Sequence, residues 1–217
     1  PKNVSAARAA QVMGTFALMF IPAVLWSLVV NGKNKFWLGF NKHINWQQVA
    51  IGFAIIFLAN ILAGPLADLS KSIIAQFPAL DARALKMENE YNEQVMAMSN
   101  LKNWGEFVLA IFIMAFFPAM FEEMFFRGTM QNLFVKWWKM PLLAIIFTSL
   151  IFSLIHFSIY LFISRAILGF VLGMMFYKSK NIWVNIIAHF LNNALAVIGL
   201  FYEMQTKGKV NVDAVDP

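Results

Sequence analysis

The stretch "FEEMFFRGTMQ" at residues 121–131 places two adjacent glutamates and an arginine directly after the apolar run "EFVLAIFIMAFFPAM". Charged side chains at the centre of a bilayer cost about 2.5 to 3.5 kcal/mol each on insertion scales, so they are rare there and usually functional. On a helix, Glu123 and Arg127 are four residues apart and share a face, whereas Glu122 points about 100° away. We therefore expect Arg127 to neutralise Glu123 and to leave Glu122 available for chemistry.

Two further apolar stretches carry polar side chains at helical spacing. In "IFSLIHF", Ser153 and His156 continue a stripe that begins at Ser149. In "NIIAHFLNNALA", the polar residues are Asn185, His189, Asn192 and Asn193. Hydrogen bonds between helices could account for any one of these residues. Three such stripes on three apolar helices are better explained by a shared site that faces the bundle interior or a wet cavity.

These residue types fit hydrolysis by an activated water molecule. A carboxylate in a low-dielectric cavity has a raised proton affinity and can act as a general base, with a histidine beside it to help polarise the water. An asparagine amide and an imidazole N–H can hold the oxyanion that forms on the attacked carbonyl. The chain has no cysteine and no "GxSxG" stretch, so no covalent nucleophile is indicated.

A zinc site is the alternative interpretation of the same residues. Glu122, His156 and His189 could supply three ligands and leave an open position, which is the arrangement of a catalytic zinc ion. The sequence lacks an "HExxH" stretch, which weakens this alternative.

The elements that must position these residues are membrane-spanning helices. Of the 217 residues, 60% are hydrophobic and only 13% are charged, which is too little polar surface for a soluble domain of this length. A span needs about 20 apolar residues. On this rule we predict an all-α polytopic transmembrane helix bundle with about six spans, near 12–30, 48–66, 106–126, 141–157, 158–178 and 182–202.

Residues 67–105 differ from the rest of the chain because they mix acidic and basic side chains. We expect them to lie outside the hydrocarbon and to begin with an amphipathic interfacial segment, "ADLSKSIIAQF". The predicted organisation is two N-terminal spans with this segment in 1–105, a catalytic core of four spans in 106–203 and a polar tail in 204–217. In the fifth span, Gly169 and Gly173 form a GxxxG pattern that lets a neighbouring helix approach closely.

The net charge of +6 does not indicate nucleic-acid binding. Basic residues flank the apolar runs together with tryptophan, as in "KWWK" at 136–139, and this combination is typical of anchors at the membrane surface. The expected partners are therefore membrane lipids and a peptide or protein substrate, with no nucleic acid. A membrane protein partner that binds through residues 67–105 is a further expectation.

With these motifs in view, the chain resembles the CPBP family of CAAX-type prenyl endopeptidases and bacteriocin-processing or immunity proteins, also called the Abi family. The stretches "EEMFFR", "FSLIH" and "HFLNN" match its EExxxR, FxxxH and HxxxN motifs in the right order, and the likeness covers roughly residues 105–200. The resemblance implies an integral-membrane endopeptidase that is not thought to need a metal or another cofactor. It also implies an integral membrane location, which we expect to be the bacterial inner (cytoplasmic) membrane.

The resemblance implies a role for each motif residue. Glu122 would be the catalytic base and His156 its partner in activating water, while His189 and Asn193 would form the oxyanion hole. Glu123 and Arg127 would order the site. Because members of the family include immunity proteins without a known substrate, a non-catalytic membrane partner or accessory subunit remains a second interpretation.

Overall fold

The computed structural model describes residues 4–208, apart from residues 32, 33, 35–37 and 100. All regular structure in this part of the chain is helical. We number seven helices: α1 is Val4–Val30, α2 Trp46–Ile74, α3 Pro78–Met98, α4 Trp104–Trp138, α5 Pro141–Leu154, α6 Phe162–Ser179 and α7 Ile182–Lys207. The predicted all-α membrane bundle is confirmed.

Five of the described helices, α1, α2, α4, α6 and α7, are long and apolar enough to cross a membrane. The sixth apolar segment, α5, is a shorter helix of 14 residues. It is joined to α6 by the loop 155–161, which contains the predicted boundary between the spans 141–157 and 158–178. Large apolar side chains are exposed along these helices, among them Leu18, Leu58 and Leu150, as is expected for surfaces that face lipid.

Local sequence signals account for several helix ends. The side chains of Asn45, Asn103 and Asn181 accept backbone N–H groups in the first turns of α2, α4 and α7, which satisfies donors that a helix start leaves unpaired. Helices α4 and α6 end at Lys139 and Lys180, which adopt the left-handed conformation with φ of 55° and 51°. Each lysine N–H bonds a carbonyl of the preceding turn, which closes the helix.

Helix α2 is broken at Leu62, and the break separates its apolar half from its amphipathic half. The N–H of Leu62 bonds the Ala59 carbonyl three residues earlier, and Pro65 follows without an N–H to donate to Ile61. The residues Ala67 to Ile74, predicted as the start of the interfacial segment, form the last turns of α2. Of the remaining residues of 67–105, Pro78–Met98 form the separate helix α3.

Helix α4, which carries the two glutamates, contains two π-helical stretches, Ile111–Phe116 and Met124–Gln131. The first lies just before Pro118, where the missing N–H is expected to loosen the helix. The second includes Arg127. Widened π-helical turns of this kind often occur at functional sites.

Helix α7 occupies the centre of the bundle and packs against α2, α4 and α6. Helix α5 packs tightly against α6 at the GxxxG pattern. A methyl group added at Gly173 would lie 2.7 Å from Cγ2 of Ile145, and one added at Gly169 would lie 3.2 Å from the Cα of Ser149. The two glycines therefore permit this close approach of helices within the bundle.

Helix α7 continues to Lys207, so the first four residues of the predicted polar tail, 204–207, are helical. The part of that predicted tail from residue 209 onward lies outside the described residues.

Candidate active site

A cavity of about 250 Å³ lies between the helices and is lined by all four residues proposed to act in catalysis. Glu122 reaches it from α4, His156 from the loop after α5, and His189 and Asn193 from α7. Polar groups from three sequence-distant motifs thus meet around one space. Ser149 and Ser153, which share the stripe of His156, bond the backbone carbonyls of Ile145 and Phe162 instead.

Glu123 is fully buried and is surrounded by hydrogen-bond donors. Arg127 Nη1 lies 2.8 Å from Oε1, and His189 Nδ1 lies 2.9 Å from the same oxygen. Asn185 Nδ2 donates to the other oxygen, Oε2, at 3.1 Å. A buried carboxylate with this many donors and one cationic partner is stabilised in its ionised form. Glu123 therefore connects α4 to α7 through hydrogen bonds to His189 and Asn185.

Arg127 extends the same network to helices α5 and α6. Its side chain is 1% exposed, and Nη2 donates to the backbone carbonyl of Gly169 in α6 at 3.0 Å. The guanidinium carbon lies 4.8 Å from the centre of the Phe152 ring in α5, within the range of a cation–π contact. One side chain thus connects α4 with α5 and α6.

Glu122 is placed differently from its neighbour, as the helical spacing predicts. It is 7% exposed and lines the cavity, and its Oε2 lies 4.0 Å from His189 Nε2. That separation is longer than a direct hydrogen bond. Glu122 is therefore the carboxylate of the pair that can meet a molecule in the cavity.

The contact between His189 and Glu123 fixes which imidazole nitrogen carries a proton. An ionised carboxylate only accepts hydrogen bonds, so Nδ1 of His189 is the donor to Glu123. The second nitrogen, Nε2, faces Glu122. It is an acceptor when the ring is neutral and a donor when the ring is protonated.

His156 lies where the chain leaves α5. Its Nδ1 is 2.7 Å from the Phe152 carbonyl oxygen, which can only accept, so Nδ1 donates and a neutral ring has an unprotonated Nε2. The next residue, Phe157, lies three residues after the last residue of α5 and has a φ of 53°, which is unusual for a bulky side chain. Arg165 Nη1 donates to the His156 carbonyl at 3.4 Å, which holds this corner against α6.

Asn193 belongs to a row of three side-chain amides. Asn60 of α2 donates from Nδ2 to Oδ1 of Asn192, and Asn192 donates from Nδ2 to Oδ1 of Asn193 at 3.5 Å. All three residues line the cavity. In this arrangement Oδ1 of Asn193 accepts the hydrogen bond from Asn192. The NH₂ group of Asn193 makes no bond within the row and can donate to a molecule in the cavity.

Helix α3 closes one side of the cavity, to which it contributes Tyr91, Gln94, Val95 and Met98. The Arg165 guanidinium carbon lies 4.7 Å from the centre of the Tyr91 ring. Further hydrogen bonds connect α3 to the loop that carries His156. They run from Tyr160 to Asp81 at 2.6 Å and from Ser158 to Glu88 at 2.7 Å.

The bond to Asp81 has an electrostatic consequence for the loop. Because the phenol O–H of Tyr160 donates to the Asp81 carboxylate, the pKa of Tyr160 is raised to about 12. Tyr160 therefore stays protonated and keeps this bond throughout the neutral pH range. At the other end of α3, Arg8 donates to the Met98 carbonyl at 3.0 Å and pairs with Glu106, so both ends of α3 are fixed.

Four residues of the site were not assigned to it from the sequence: Asn60, Tyr91, Arg165 and Asn185. Asn185 was placed on the correct polar stripe, but its bond to Glu123 depends on the rotation of α7 against α4. The sequence does contain a feature that could have assigned Asn60 and Arg165 to the site, since each is a polar residue inside an apolar stretch. Tyr91 gave no signal, because nothing in its local sequence shows that α3 lies over the cavity.

The zinc alternative requires Glu122, His156 and His189 to converge on one ion. Within the described ranges, no three His, Asp or Glu side chains are grouped closely enough to hold a metal. Nδ1 of His156 is bonded to a carbonyl and Nδ1 of His189 to Glu123, so only Nε2 of each ring is available to a ligand. In this arrangement Glu122, His156 and His189 do not form the three-ligand zinc site.

The architecture and the polar cavity define a polytopic helical membrane protein with a buried carboxylate site. Residues 104–195, a little under half of the chain, match a family model described as type II CAAX prenyl endopeptidase, Rce1-like. All three motifs fall inside this range, so the match confirms the recognition of the CPBP family. No curated protein and no solved structure matches the chain.

The family match indicates a membrane endopeptidase, which supports describing the protein as a membrane-bound hydrolase of the CAAX protease type. The matched range begins at α4 and ends within α7. It therefore includes Glu122, His156, His189 and Asn193, whereas α1, α2 and α3 lie outside it.

Proposed function

We propose that this protein is an integral-membrane endopeptidase in which Glu122 and His156 activate a water molecule for attack on a peptide carbonyl. The observation that carries this proposal is the common cavity of Glu122, His156, His189 and Asn193. Its volume of about 250 Å³ leaves room for water beside a short length of peptide. The motif residues of the matched family are therefore grouped where a substrate could meet them.

The water is held between two acceptors. Ionised Glu122 accepts one hydrogen, and the unprotonated Nε2 of His156 accepts the other. A water molecule that donates both hydrogens directs a lone pair at the carbonyl carbon. As the new C–O bond forms, the proton passes to Glu122, and Glu122 then gives it to the leaving nitrogen as the C–N bond breaks.

The oxyanion is stabilised by donors from α7. Since Nδ1 of His189 donates to Glu123, a donor at Nε2 requires the protonated ring. The two ring nitrogens lie beside carboxylates, Nδ1 at 2.9 Å from Glu123 and Nε2 at 4.0 Å from Glu122. Asn193 adds the NH₂ group that its amide row leaves available. Preorganised donors of this kind are among the largest contributions to acyl-transfer catalysis.

The mechanism uses no metal, and we propose that the enzyme is a metal-independent glutamate protease. Metal analysis and chelation test this proposal against the zinc alternative. We expect purified protein to retain full activity in a strong chelator. A stoichiometric transition metal whose removal abolishes turnover would favour zinc and would contradict the water activation described above.

A second candidate function follows from the exposed surface of α3. This helix presents Arg83, Lys86 and Glu90 to the outside, which suits a protein partner at the membrane surface. Under this alternative the protein is a membrane partner or immunity subunit that binds through residues 67–105. Alanine at Glu122 would then leave the cellular phenotype intact, whereas changes on the outer face of α3 would abolish it.

The principal test compares the new protein N-termini in cells that carry the wild-type protein with those in cells that carry Glu122→Ala. We expect at least one peptide bond to be cut only in the wild-type cells, with both proteins inserted at the same level. The cells should be bacterial, because we place the protein in the bacterial inner membrane. An identical set of N-termini in the two strains would contradict the proposal and favour the partner function.

A further inference from the structure

The N-terminal part of the chain contributes a residue to the site even though it lies outside the matched range. Asn60, on α2, lines the cavity beside Asn192 and Asn193 of α7. The break at Leu62 follows two residues after Asn60. Ala59, Asn60 and Ala63, the residues around this break, all face the cavity. An amide in an apolar span is costly unless it is bonded, and here its partner is Asn192.

We infer that Asn60 is a positioning residue that, through Asn192, holds the Asn193 amide with its NH₂ group toward the reacting carbonyl. This inference rests on the proposed function, because it assigns the orientation of the oxyanion donor in that reaction. It adds a requirement that the three motifs do not contain, which is a polar residue supplied by a separate helix.

The physical argument concerns the two ends of an amide. The NH₂ end of Asn193 stabilises an oxyanion, but a rotation of 180° would present the carbonyl oxygen and repel it. The two orientations have almost the same shape, so packing alone selects weakly between them. A donor at Oδ1 of Asn193 selects the productive orientation, and Asn192 provides that donor at 3.5 Å.

Asn192 has the same ambiguity, and Asn60 resolves it. Because Asn60 donates to Oδ1 of Asn192, the NH₂ group of Asn192 is directed to Asn193. Each amide of the row therefore donates to the next one, from Asn60 on α2 to Asn193 at the cavity. The donor at Asn60 determines this direction of the hydrogen bonds. If Asn60 could only accept, Asn192 would turn its NH₂ group to residue 60, and Asn193 would turn its oxygen to the cavity.

The substitution Asn60→Asp performs this reversal with almost no change in volume. An ionised carboxylate accepts and cannot donate. We expect kcat to fall by up to about 10²-fold, the effect of losing one oxyanion-hole donor, with KM little changed. As the pH is lowered, the carboxyl gains a proton and can donate again, so the ratio of variant to wild-type kcat should rise.

The matched control is Asn45→Asp on the same helix. Asn45 accepts a backbone N–H at the start of α2, a role that aspartate also fills. We expect its kcat and pH profile to equal those of the wild type. An Asn60→Asp protein with wild-type kcat, or with a loss that does not depend on pH or that appears only in KM, would overturn the inference.

A measurement independent of turnover uses the side-chain amide resonances of ¹⁵N-asparagine-labelled protein. Asn60→Asp should move the resonances of both Asn192 and Asn193, and Asn45→Asp should move neither. Unmoved resonances would refute the amide row even if catalysis were impaired. Moved resonances in a protein whose wild type cleaves nothing would refute the proposed function and leave the row as a structural feature.

Discussion

Replacement of Arg127 by methionine should clearly destabilise the protein, because it removes one member of a buried ion pair. Arg127 is 1% exposed and bonds Glu123 at 2.8 Å, while its other amino group bonds the Gly169 carbonyl. Methionine fills a similar volume but leaves Glu123 as a buried carboxylate without its cationic partner. Removal of one member of a buried pair typically costs about 3 to 5 kcal/mol.

The structure places the expected cost toward the lower end of that range. Among the residues that the structure describes, two donors to Glu123 remain, His189 at 2.9 Å and Asn185 at 3.1 Å. We therefore expect a loss of about 3 kcal/mol. For a chain of this length, 1 kcal/mol corresponds to about 2 to 4 °C, so the melting temperature should fall by about 6 to 12 °C.

The assay is thermal unfolding of the purified protein in detergent, with Lys86→Met as the matched control. Lys86 and Glu90 also form an i,i+4 ion pair, but their side chains are 78% and 60% exposed. An exposed pair contributes little, so the control should melt close to the wild type. The double variant Glu123→Gln, Arg127→Met should recover part of the lost stability. Equal shifts for Arg127→Met and Lys86→Met would refute the reasoning.

Three further predictions test other parts of the structure. Gly173→Ala should lose about 1 to 3 kcal/mol in thermal unfolding, because the added carbon would lie 2.7 Å from Ile145, whereas Gly14→Ala, with open space around it, should be neutral or stabilising. Asn185→Asp should destabilise more than Asn185→Leu and should regain stability as the pH falls, because a second carboxylate beside Glu123 is tolerated only when one of the two is protonated. Tyr160→Phe removes the bond that holds α3 at Asp81, so a cysteine introduced at Val95, on the cavity side of α3, should react faster with a hydrophilic maleimide. The control is Tyr202→Phe, where the ring is 69% exposed. Equal melting of both glycine variants, a pH-independent Asn185→Asp, or an unchanged labelling rate would contradict these expectations in turn.

The features that could be predicted from the sequence are those that depend on helical periodicity alone. The apolar runs predict the bundle, and the four-residue spacing of Glu123 and Arg127 predicts their ion pair, which the structure contains. Adjacent residues of a helix point about 100° apart, so Glu122 is directed away from that pair, and it lines the cavity. These arguments succeed because a helix fixes the relative direction of neighbouring side chains whatever surrounds it.

The contacts between helices could not be predicted in the same way. Whether Asn185 reaches Glu123, or Asn60 reaches Asn192, depends on the tilt and rotation of helices far apart in the chain. The π-helical turns of α4 shift the register of its side chains and have no reliable sequence signal apart from Pro118. The position of α3 over the cavity follows from a few polar bonds, such as Glu88 to Ser158, rather than from any repeating pattern.

The central claim is that the Glu122 carboxylate takes a proton from water inside the common cavity. Its most direct test is to compare the cleavage kinetics of the wild type with those of a variant changed at Glu122 alone. The cleavage rate of a peptide that spans a bond cut only in wild-type cells should be measured with purified wild-type protein and with Glu122→Gln. We predict that Glu122→Gln lowers kcat by at least about 10²-fold, since it removes the general base, while the melting temperature is unchanged or higher because a buried charge is lost. Turnover close to that of the wild type in a folded Glu122→Gln protein would contradict the account.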